Sequence, residues 1–325
     1  MKFCIIGAGA IGIFLSAHLA RRGHEITVLA RGARAAAIRE KGVTLTADKG
    51  DGFSFRPQVA ESGEALAPQD VVLVCVKGYS VPDIAATLQP LMQGTTQAVF
   101  VQNGLPWWYF GETGSQSLDP GGRIAAAVPL ERTIGCVTYA NVRNSGLGEA
   151  HHVSDNTFIL GRPDGHSDPA LGAIIEALAE AGIGARISDR IRTEIWLKLW
   201  GNLAFNPLSA LTGATMDEII ERETRPLVIA MMTEARDVAA SQGIVFETSL
   251  EKRLATALLA GKFRTSMLQD LEAGRRLEID AIIGAVAELA RSVRVETPAI
   301  DMVLGLIRQK ARLLGLDGPS EREAA

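Results

Sequence analysis

The sequence predicts an α/β N-terminal domain built on a doubly wound sheet, followed by an all-α C-terminal domain. At 325 residues, the chain exceeds the length that one hydrophobic core usually supports. In its first half, short apolar runs typical of parallel strands covered on both faces alternate with helical periodicity. From about Asp189 onward, strand-like runs disappear. We therefore expect two domains, residues 1–188 and 189–325, with a ligand cleft between them.

The N-terminus predicts a Rossmann-like βαβ unit of about thirty residues, with a G-x-G-x-x-G motif between the strand KFCIIG and the first helix. Gly7 would make the tight turn, Gly9 would let a pyrophosphate approach the backbone, and Gly12 would let helix and strand pack closely. The amides at the helix N-terminus would face the phosphates. The residues of this turn predicted to bind a dinucleotide cofactor are Gly7, Ala8, Gly9, Ala10, Ile11 and Gly12.

The end of the second strand, EITVLAR, predicts which dinucleotide binds. An NAD enzyme usually has Asp or Glu there, which accepts hydrogen bonds from the ribose hydroxyls. This chain has Arg31 instead, with Arg34 as a second arginine nearby. Because a guanidinium suits bidentate phosphate binding, Arg31 favours NADP(H) as the cofactor. The alternative is a solvated arginine in a loop.

Two further polar residues follow predicted strands. Lys77 comes directly after the apolar run at residues 71–76, and Asn103 follows the run that begins at residue 96. Ligands of doubly wound sheets bind outside the carboxyl ends of the strands, so both side chains are candidates for a binding site. For Lys77 the alternative is an ordinary lysine at a strand end.

Composition and cysteine use limit the class of protein. Apolar residues make up 47% of the chain, the formal net charge is −4, and no basic run suggests a nucleic-acid or membrane surface, so we expect a small ligand. The three cysteines form no C-x-x-C pair, which favours a reducing compartment. The N-terminus does not resemble a signal peptide, and no apolar run reaches the roughly 18 residues of a membrane span. We expect a soluble, cytoplasmic protein.

The middle of the chain, residues 123–162, alternates in places like an antiparallel extension of the sheet. His151 and His152 are adjacent within it. The sequence offers no second cluster of metal ligands to accompany them, so we expect a structural or exposed role for both histidines and no metal site.

A lysine and two asparagines recur at helical spacing within the apolar stretch EIWLKLWGNLAFNPLSALTG. Lys198, Asn202 and Asn206 are four residues apart, so they lie on one helix face within about 80° of arc. Burying three polar groups among apolar side chains costs free energy unless they have hydrogen-bond partners, and a ligand in the cleft would supply such partners. The alternative is a snorkelling lysine and two surface amides. Pro207 is expected to end or kink this helix.

These motifs resemble those of one known family. The chain resembles the ketopantoate reductase (2-dehydropantoate 2-reductase) family, within the 6-phosphogluconate dehydrogenase-like superfamily. Each motif is short, but together they cover both predicted domains and are specific. The segments that carry the resemblance are GAGAIG at 7–12, Arg31, Lys77 of VKGYS, QNG at 102–104, K-L-x-x-N-x-x-x-N-P-L from Lys198, SMLQD at 266–270 and EID at 278–280.

The resemblance implies a role for each matching residue. Lys198 would be catalytic, as the proton donor to the ketone oxygen of the substrate, and Glu278 would be its acidic partner on the hydroxyl side of the substrate. Asn103 would lie between nicotinamide and substrate. The residues implied to bind the keto acid are Asn103, Asn202, Asn206 and Ser266. Besides the glycine turn, those implied to contact NADP(H) are Arg31 at the 2′-phosphate, Lys77 and Asn103.

The implied reaction is NADPH-dependent reduction of a 2-keto acid, with 2-dehydropantoate reduced to pantoate in pantothenate biosynthesis as the first choice. Two departures from the family leave a different 2-keto acid open, which would be bulkier, would lack the hydroxyl of 2-dehydropantoate, or would bind differently. Trp107, Trp108 and Tyr109 begin an aromatic insertion at 105–122, which would line a pocket or pack as a surface loop, and Met216 stands where a substrate-binding asparagine is expected. A non-catalytic NADP-binding sensor is the other alternative. Both a monomer and a homodimer are compatible with the apolar helices.

Overall fold

The computed structural model describes residues 1–50, 52–64 and 66–318. The predicted βαβ unit is present at the N-terminus and opens a longer series of strands. The strands of the described residues are β1 (Lys2–Ile6), β2 (Glu25–Leu29), β3 (Val43–Ala47), β4 (Phe53–Phe55), β5 (Gln58–Ala60), β6 (Val71–Val74), β7 (Gln97–Phe100), β8 (Thr133–Thr138), β9 (Asn141–Gly146), β10 (Glu149–Ser154), β11 (Thr157–Gly161) and β12 (Gly184–Ile187).

Eight of these strands form one sheet in the order β12-β11-β8-β7-β6-β1-β2-β5. Neighbouring strands are parallel except for β8 and β11, which are antiparallel. Ile6, the last residue of β1, pairs with Leu29 of β2 and with Val74 of β6. The carboxyl ends of these three adjacent strands therefore meet at one edge, where ligands of such sheets bind.

The middle of the chain only partly extends this sheet. β11 does so by pairing with β8, as expected. β9 and β10, however, join a separate four-stranded sheet in the order β4-β3-β10-β9, in which β10 runs parallel to β3. The alternating pattern predicted extended structure correctly, but it does not specify which strand edge is free to accept a partner.

Helices cover the sheet and make up the second half of the chain. Within the described part of residues 189–318 there is no strand, which confirms the predicted fold class. The α-helices of the described residues are α1 (Ala10–Arg21), α2 (Gly32–Lys41), α3 (Ala85–Leu88), α4 (Arg123–Ala127), α5 (Pro169–Glu180), α6 (Ile191–Thr212), α7 (Met216–Glu221), α8 (Arg225–Ser241), α9 (Leu250–Leu258), α10 (Ser266–Glu272), α11 (Ala285–Ser292) and α12 (Pro298–Leu313). Because β12 ends at Ile187 and α6 begins at Ile191, we propose the domain boundary between residues 188 and 189.

The larger hydrophobic core joins the two halves. It runs from sheet residues such as Phe100 and Ile159 to Trp196 and Trp200 of α6, all of which are buried. A second core, on the other face of the sheet, includes α1 and α5. α6 thus packs directly against the sheet, and this contact carries the polar face of α6 toward the sheet edge.

Pro207 does not end α6, which continues to Thr212 and stops before Gly213 in the left-handed conformation. Proline lacks the N–H that would bond to the carbonyl of the residue four positions earlier. The neighbouring Leu203 and Leu208 are buried, and α6 packs against α8, α10 and α12. This tertiary packing outweighs the lost hydrogen bond, so the whole polar face of α6 stays on one helix.

A tight contact between the halves predicts the effect of Gly104→Ala. Gly104 has φ +84, and a Cβ there would lie 2.1 Å from the carbonyl oxygen of Ala281. The same oxygen accepts a hydrogen bond of 2.8 Å from the backbone N–H of Leu105. We expect the substitution to lower the free energy of unfolding by about 1–2 kcal/mol more than a positive-φ strain alone would.

The matched control is Gly94→Ala, measured with Gly104→Ala by urea denaturation. Gly94 also has positive φ, +57, but no atom lies within 4 Å of the added Cβ. Equal losses of stability in the two variants would show that the contact of Gly104 with Ala281 is not restrictive.

Candidate active site

The glycine turn has the geometry that the motif predicts. Gly7 has φ +100, and a Cβ on it would lie 2.7 Å from the backbone N of Val76. A Cβ on Gly12 would lie 2.1 Å from the carbonyl oxygen of Gly7, so any side chain there would separate helix and turn. Gly9 differs, because its added Cβ meets no atom within 4 Å. Space beside Gly9 is what the approach of a pyrophosphate requires.

The N-terminus of α1 is also suited to an anion. α1 begins at Ala10 and has neither a side-chain cap nor an acidic residue in its first turn. Its first N–H groups are therefore open to an acceptor from outside the helix. The residues present fit the diphosphate of a dinucleotide at this turn.

The two arginines after β2 lie in different surroundings. Arg31 is exposed at the N-cap position of α2, and its Nη2 donates to the hydroxyl of Thr87 at 3.3 Å. Arg34 is half-buried, and its Nη1 donates to the carbonyl oxygen of Ala8 at 2.6 Å. Arg34 thus ties α2 to the glycine turn, whereas the Arg31 guanidinium is accessible to a ligand.

Lys198 lies against the end of the sheet. Its half-buried ammonium donates to Asn103 Oδ1 at 2.8 Å and to the carbonyl oxygen of Thr138, and it lies 5.6 Å from the centre of the Tyr139 ring. Burial lowers the pKa of Lys198 to about 8, although Cys136 and Glu278 act to raise it. An amine with this pKa can hold a proton near neutrality and release it to an alkoxide.

Glu278 and Lys77 form an ion-pair cluster between the two halves. Lys77 Nζ lies 3.0 Å from both Glu278 Oε2 and Asp270 Oδ2, and Glu278 Oε1 accepts a hydrogen bond of 3.1 Å from the N–H of Gly78. Glu278 and Asp270 are buried, and Asp270 also pairs with Arg275 at 2.8 Å. Burial would lower the pKa of Lys77, but the carboxylates of Glu278 and Asp270 raise it above the ordinary range.

The structure adds contacts within the chain to the roles that the resemblance implied for Lys77, Glu278 and Lys198. Lys77 was expected at the cofactor, and here its side chain, 40% exposed, reaches the helical half. Within the described residues, the hydrogen bonds of Lys198 run to Asn103 and Thr138 rather than to Glu278. Glu278 follows directly on Leu277 and precedes a π-helical turn at Asp280–Gly284, a local form common at functional sites.

The remaining predicted substrate residues lie along α6 and at the start of α10. Asn202 is half-buried, and Asn206 is buried with its Nδ2 unpartnered among the described residues. Ser266 is exposed as the first residue of α10, whose N-cap Thr265 hydrogen-bonds to Ser209 of α6. This contact sets Ser266 beside the last turns of the α6 polar face.

The aromatic insertion packs as a loop onto the core. Trp107, Trp108 and Tyr109 are all buried, and the Tyr109 hydroxyl accepts a hydrogen bond of 2.6 Å from Trp196 Nε1. Further along, the N–H groups of Gln116 and Ser117 donate to the carboxylate of Glu288 in α11. The insertion was expected either to line a substrate pocket or to pack as a surface loop, and these contacts support packing.

Sequence reasoning missed Asp270 and Thr138. Asp270 is the last residue of the motif SMLQD, one helical turn after Ser266. Its place in that motif is therefore the feature of the sequence that could have identified it. Thr138 contributes its backbone carbonyl, which no side-chain pattern reveals.

His151 and His152 both make contacts within the protein. His151 contacts Thr46 and Asp48, and His152 contacts the carbonyl oxygen of Asp155. No group of three or more His, Cys, Asp or Glu side chains in the described ranges is arranged to hold a metal ion.

Among the helices of the same ranges, none combines the length and apolarity that a membrane crossing needs.

Comparison with known proteins assigns the chain to a family. The model for ketopantoate reductase PanE/ApbA matches residues 3–165, and that for the ketopantoate reductase PanE/ApbA C terminal matches residues 190–311. A 2-dehydropantoate 2-reductase from Mesorhizobium japonicum is 42% identical over 96% of this chain and 98% of its own.

Solved structures agree along nearly the whole length. A candidate ketopantoate reductase from Ralstonia solanacearum MolK2 is 40% identical, with a TM-score of 0.92 over 97% of this chain and 99% of its own. The 2-dehydropantoate 2-reductase from Methylococcus capsulatus is 29% identical, with a TM-score of 0.84 over 97% and 98%. This chain, with its glycine turn and its lysine on α6, belongs to the ketopantoate reductase family.

Proposed function

We propose that this protein is an oxidoreductase that reduces 2-dehydropantoate to pantoate, a step of pantothenate biosynthesis, with NADPH as the reductant. The observation that carries the proposal is the contact of the Lys198 ammonium with Asn103, which joins the helical half to the carboxyl end of β7. Membership of the ketopantoate reductase family supports the choice of substrate.

In this proposal, bound NADPH supplies the hydride that reduces the keto carbon. The residues that hold the cofactor are those of the glycine turn, residues 7–12, together with Arg31, Lys77 and Asn103. The open space beside Gly9 and the uncapped N-terminus of α1 support this assignment. Arg31 favours NADPH over NADH because its accessible guanidinium suits the 2′-phosphate.

The chemistry needs a cation at the keto oxygen. Reduction builds negative charge on that oxygen, and Lys198 stabilises the charge and donates the proton. Asn103 and the Thr138 carbonyl orient the ammonium. Glu278 acts as the acidic partner, since its carboxylate raises the pKa of Lys198 against the effect of burial. The keto acid binds along Asn202, Asn206 and Ser266, where the unpartnered Nδ2 of Asn206 offers a donor.

The proposal is tested by NADPH oxidation with 2-dehydropantoate and with a panel of bulkier 2-keto acids. We expect the highest kcat/KM with 2-dehydropantoate, since Trp107, Trp108 and Tyr109 are buried in the core rather than lining a wider pocket. A higher kcat/KM with a bulkier acid would identify that acid, instead of 2-dehydropantoate, as the substrate. NADPH binding without oxidation by any of these acids would support a sensor instead.

Arg31→Ala is expected to raise the KM for NADPH at least about tenfold and to leave that for NADH nearly unchanged, because a charge-assisted contact with the 2′-phosphate is lost. Steady-state kinetics with both cofactors measure the change. The matched control is Arg22→Gln, which removes an exposed arginine just after α1. An unchanged ratio of the two KM values in Arg31→Ala would place the 2′-phosphate elsewhere or make NADH the cofactor.

We further propose that the protein acts in the cytoplasm as a monomer or homodimer on its small-molecule substrate. The negative formal net charge of −4 supports the absence of a nucleic-acid partner. Light scattering coupled to size-exclusion chromatography determines the oligomeric state, and a larger assembly would contradict the proposal.

A further inference from the structure

Arg253 brings a second cation to the lysine-bearing face of α6. It lies on α9, and its Nη2 would be 2.8 Å from a Cβ placed on Gly201 of α6. The ring of Phe205 borders the same space at 3.0 Å from that Cβ. Glycine within a helix costs about 0.5–1 kcal/mol relative to alanine, so the bare backbone at Gly201 makes room for the guanidinium at a cost to the helix.

Arg253 meets α6 about one helical turn from Lys198. Gly201 follows Lys198 by three residues, which places it about 60° around the axis and about 4.5 Å along it. Tyr139, whose ring lies 5.6 Å from the Lys198 ammonium, also interacts with Arg253: burial raises the pKa of Tyr139, and the Arg253 charge opposes that rise. Arg253 and Lys198 therefore approach the same part of the cleft from two helices.

Arg253 has no anionic partner among the residues that the structure describes. Its guanidinium is half-buried and makes no hydrogen bond or ion pair with any residue in the described ranges. Glu194, two turns before Gly201 on α6, is already paired with Arg186 at 2.7 Å. A partly buried guanidinium without a partner is unfavourable, so the site is prepared for a negative group supplied from outside the chain.

We propose that Arg253 binds the carboxylate of the 2-keto acid and so sets the specificity of the enzyme for acids. The assignment rests on the proposed function. A guanidinium fork matches the two oxygens of a carboxylate, and the keto group of a 2-keto acid is bonded directly to that carboxylate. Lys198 and the point where Arg253 meets α6 are about one helical turn apart, an arrangement in which one cation binds the keto oxygen and the other binds the carboxylate of the same molecule.

The test compares 2-dehydropantoate with its uncharged amide, 2-dehydropantoamide, as substrates of the full-length enzyme. We expect the wild-type enzyme to prefer the acid. Arg253→Gln should raise the KM for the acid about 10- to 100-fold, change kcat much less, leave the KM for NADPH unchanged, and abolish the preference for the acid. Arg253→Lys keeps the charge but lacks the forked guanidinium. Its KM for the acid should therefore lie between those of the wild-type enzyme and Arg253→Gln.

The matched control is Lys252→Gln, which removes a positive charge from the adjacent, exposed position of α9 and should leave the acid-to-amide preference intact. If Arg253→Gln does not fold, as judged by its thermal melt, Arg253→Lys carries the test. An unchanged acid-to-amide preference, or an effect on the KM for NADPH instead, would overturn the assignment while leaving the proposed function in place. A wild-type enzyme that reduces neither compound would overturn both.

Discussion

Lys198→Ala is expected to lower kcat for 2-dehydropantoate at least about 100-fold, because general acid catalysis contributes about 10²–10⁴ in rate. The substitution removes both the proton donor and the positive charge beside the developing alkoxide. The affinity for NADPH should change little, since the ammonium contacts Asn103 and the Thr138 carbonyl. Steady-state kinetics give kcat, and equilibrium titration gives the affinity for NADPH.

The pH profile separates proton donation from simple charge stabilisation. Burial lowers the pKa of Lys198 to about 8, and the group must be protonated to act as the acid, so kcat should fall as the pH rises through about 8. Lys198→Arg keeps a positive charge that does not titrate in this range, so this fall should disappear along with most of the activity. Near-native turnover in Lys198→Ala would remove Lys198 from the mechanism.

Lys77→Met should lower the free energy of unfolding by about 3 kcal/mol, near the low end for breaking a buried ion pair because the lysine is itself partly exposed. The substitution leaves the buried carboxylate of Glu278 with the Gly78 N–H as its remaining partner in the described structure. Asp270 keeps its ion pair with Arg275. Urea denaturation measures the loss, and the fitted slope shows whether the two halves still unfold together.

The control for this variant is Lys2→Met, which removes a lysine that lies 3.9 Å from Glu25 at the surface. Exposed pairs of that kind contribute at most about 1 kcal/mol. If Lys77→Met costs no more than Lys2→Met, the cluster does not hold the halves together, and the position of Glu278 must depend on other contacts.

The glycine turn shows how much a short motif can predict. A tight turn at Gly7, close packing at Gly12 and free space at Gly9 were all expected from the spacing of the three residues, and the turn has φ +100 at Gly7. The restriction at Gly12 arises within the motif, because a Cβ there would lie 2.1 Å from the carbonyl oxygen of Gly7. At Gly7 the positive φ is local, but the added Cβ would also meet the backbone of Val76. The motif therefore specifies most of the turn's geometry, and the neighbouring strand end adds the restriction at Gly7.

Contacts between distant residues could not be predicted in this way. Lys77 and Glu278 are 201 positions apart, and each was assigned a separate role from its own motif. Likewise, the pairing of β3 with β10 joins segments about a hundred residues apart, and short strands with alternating patterns fit several possible partners. Pro207 shows the same limit, because local geometry predicted an end or a kink there and the helix does not end but continues to Thr212.

The sequence alone determined the α/β and all-α halves, the glycine turn, and the single face of α6 that holds Lys198, Asn202 and Asn206, because periodicity and backbone sterics act over a few residues. Only the tertiary structure decided that Lys77 meets Glu278 and that Arg253 reaches Gly201. Those contacts depend on how the helical half docks against the sheet, and that docking is driven by apolar burial, which does not specify which charges will meet.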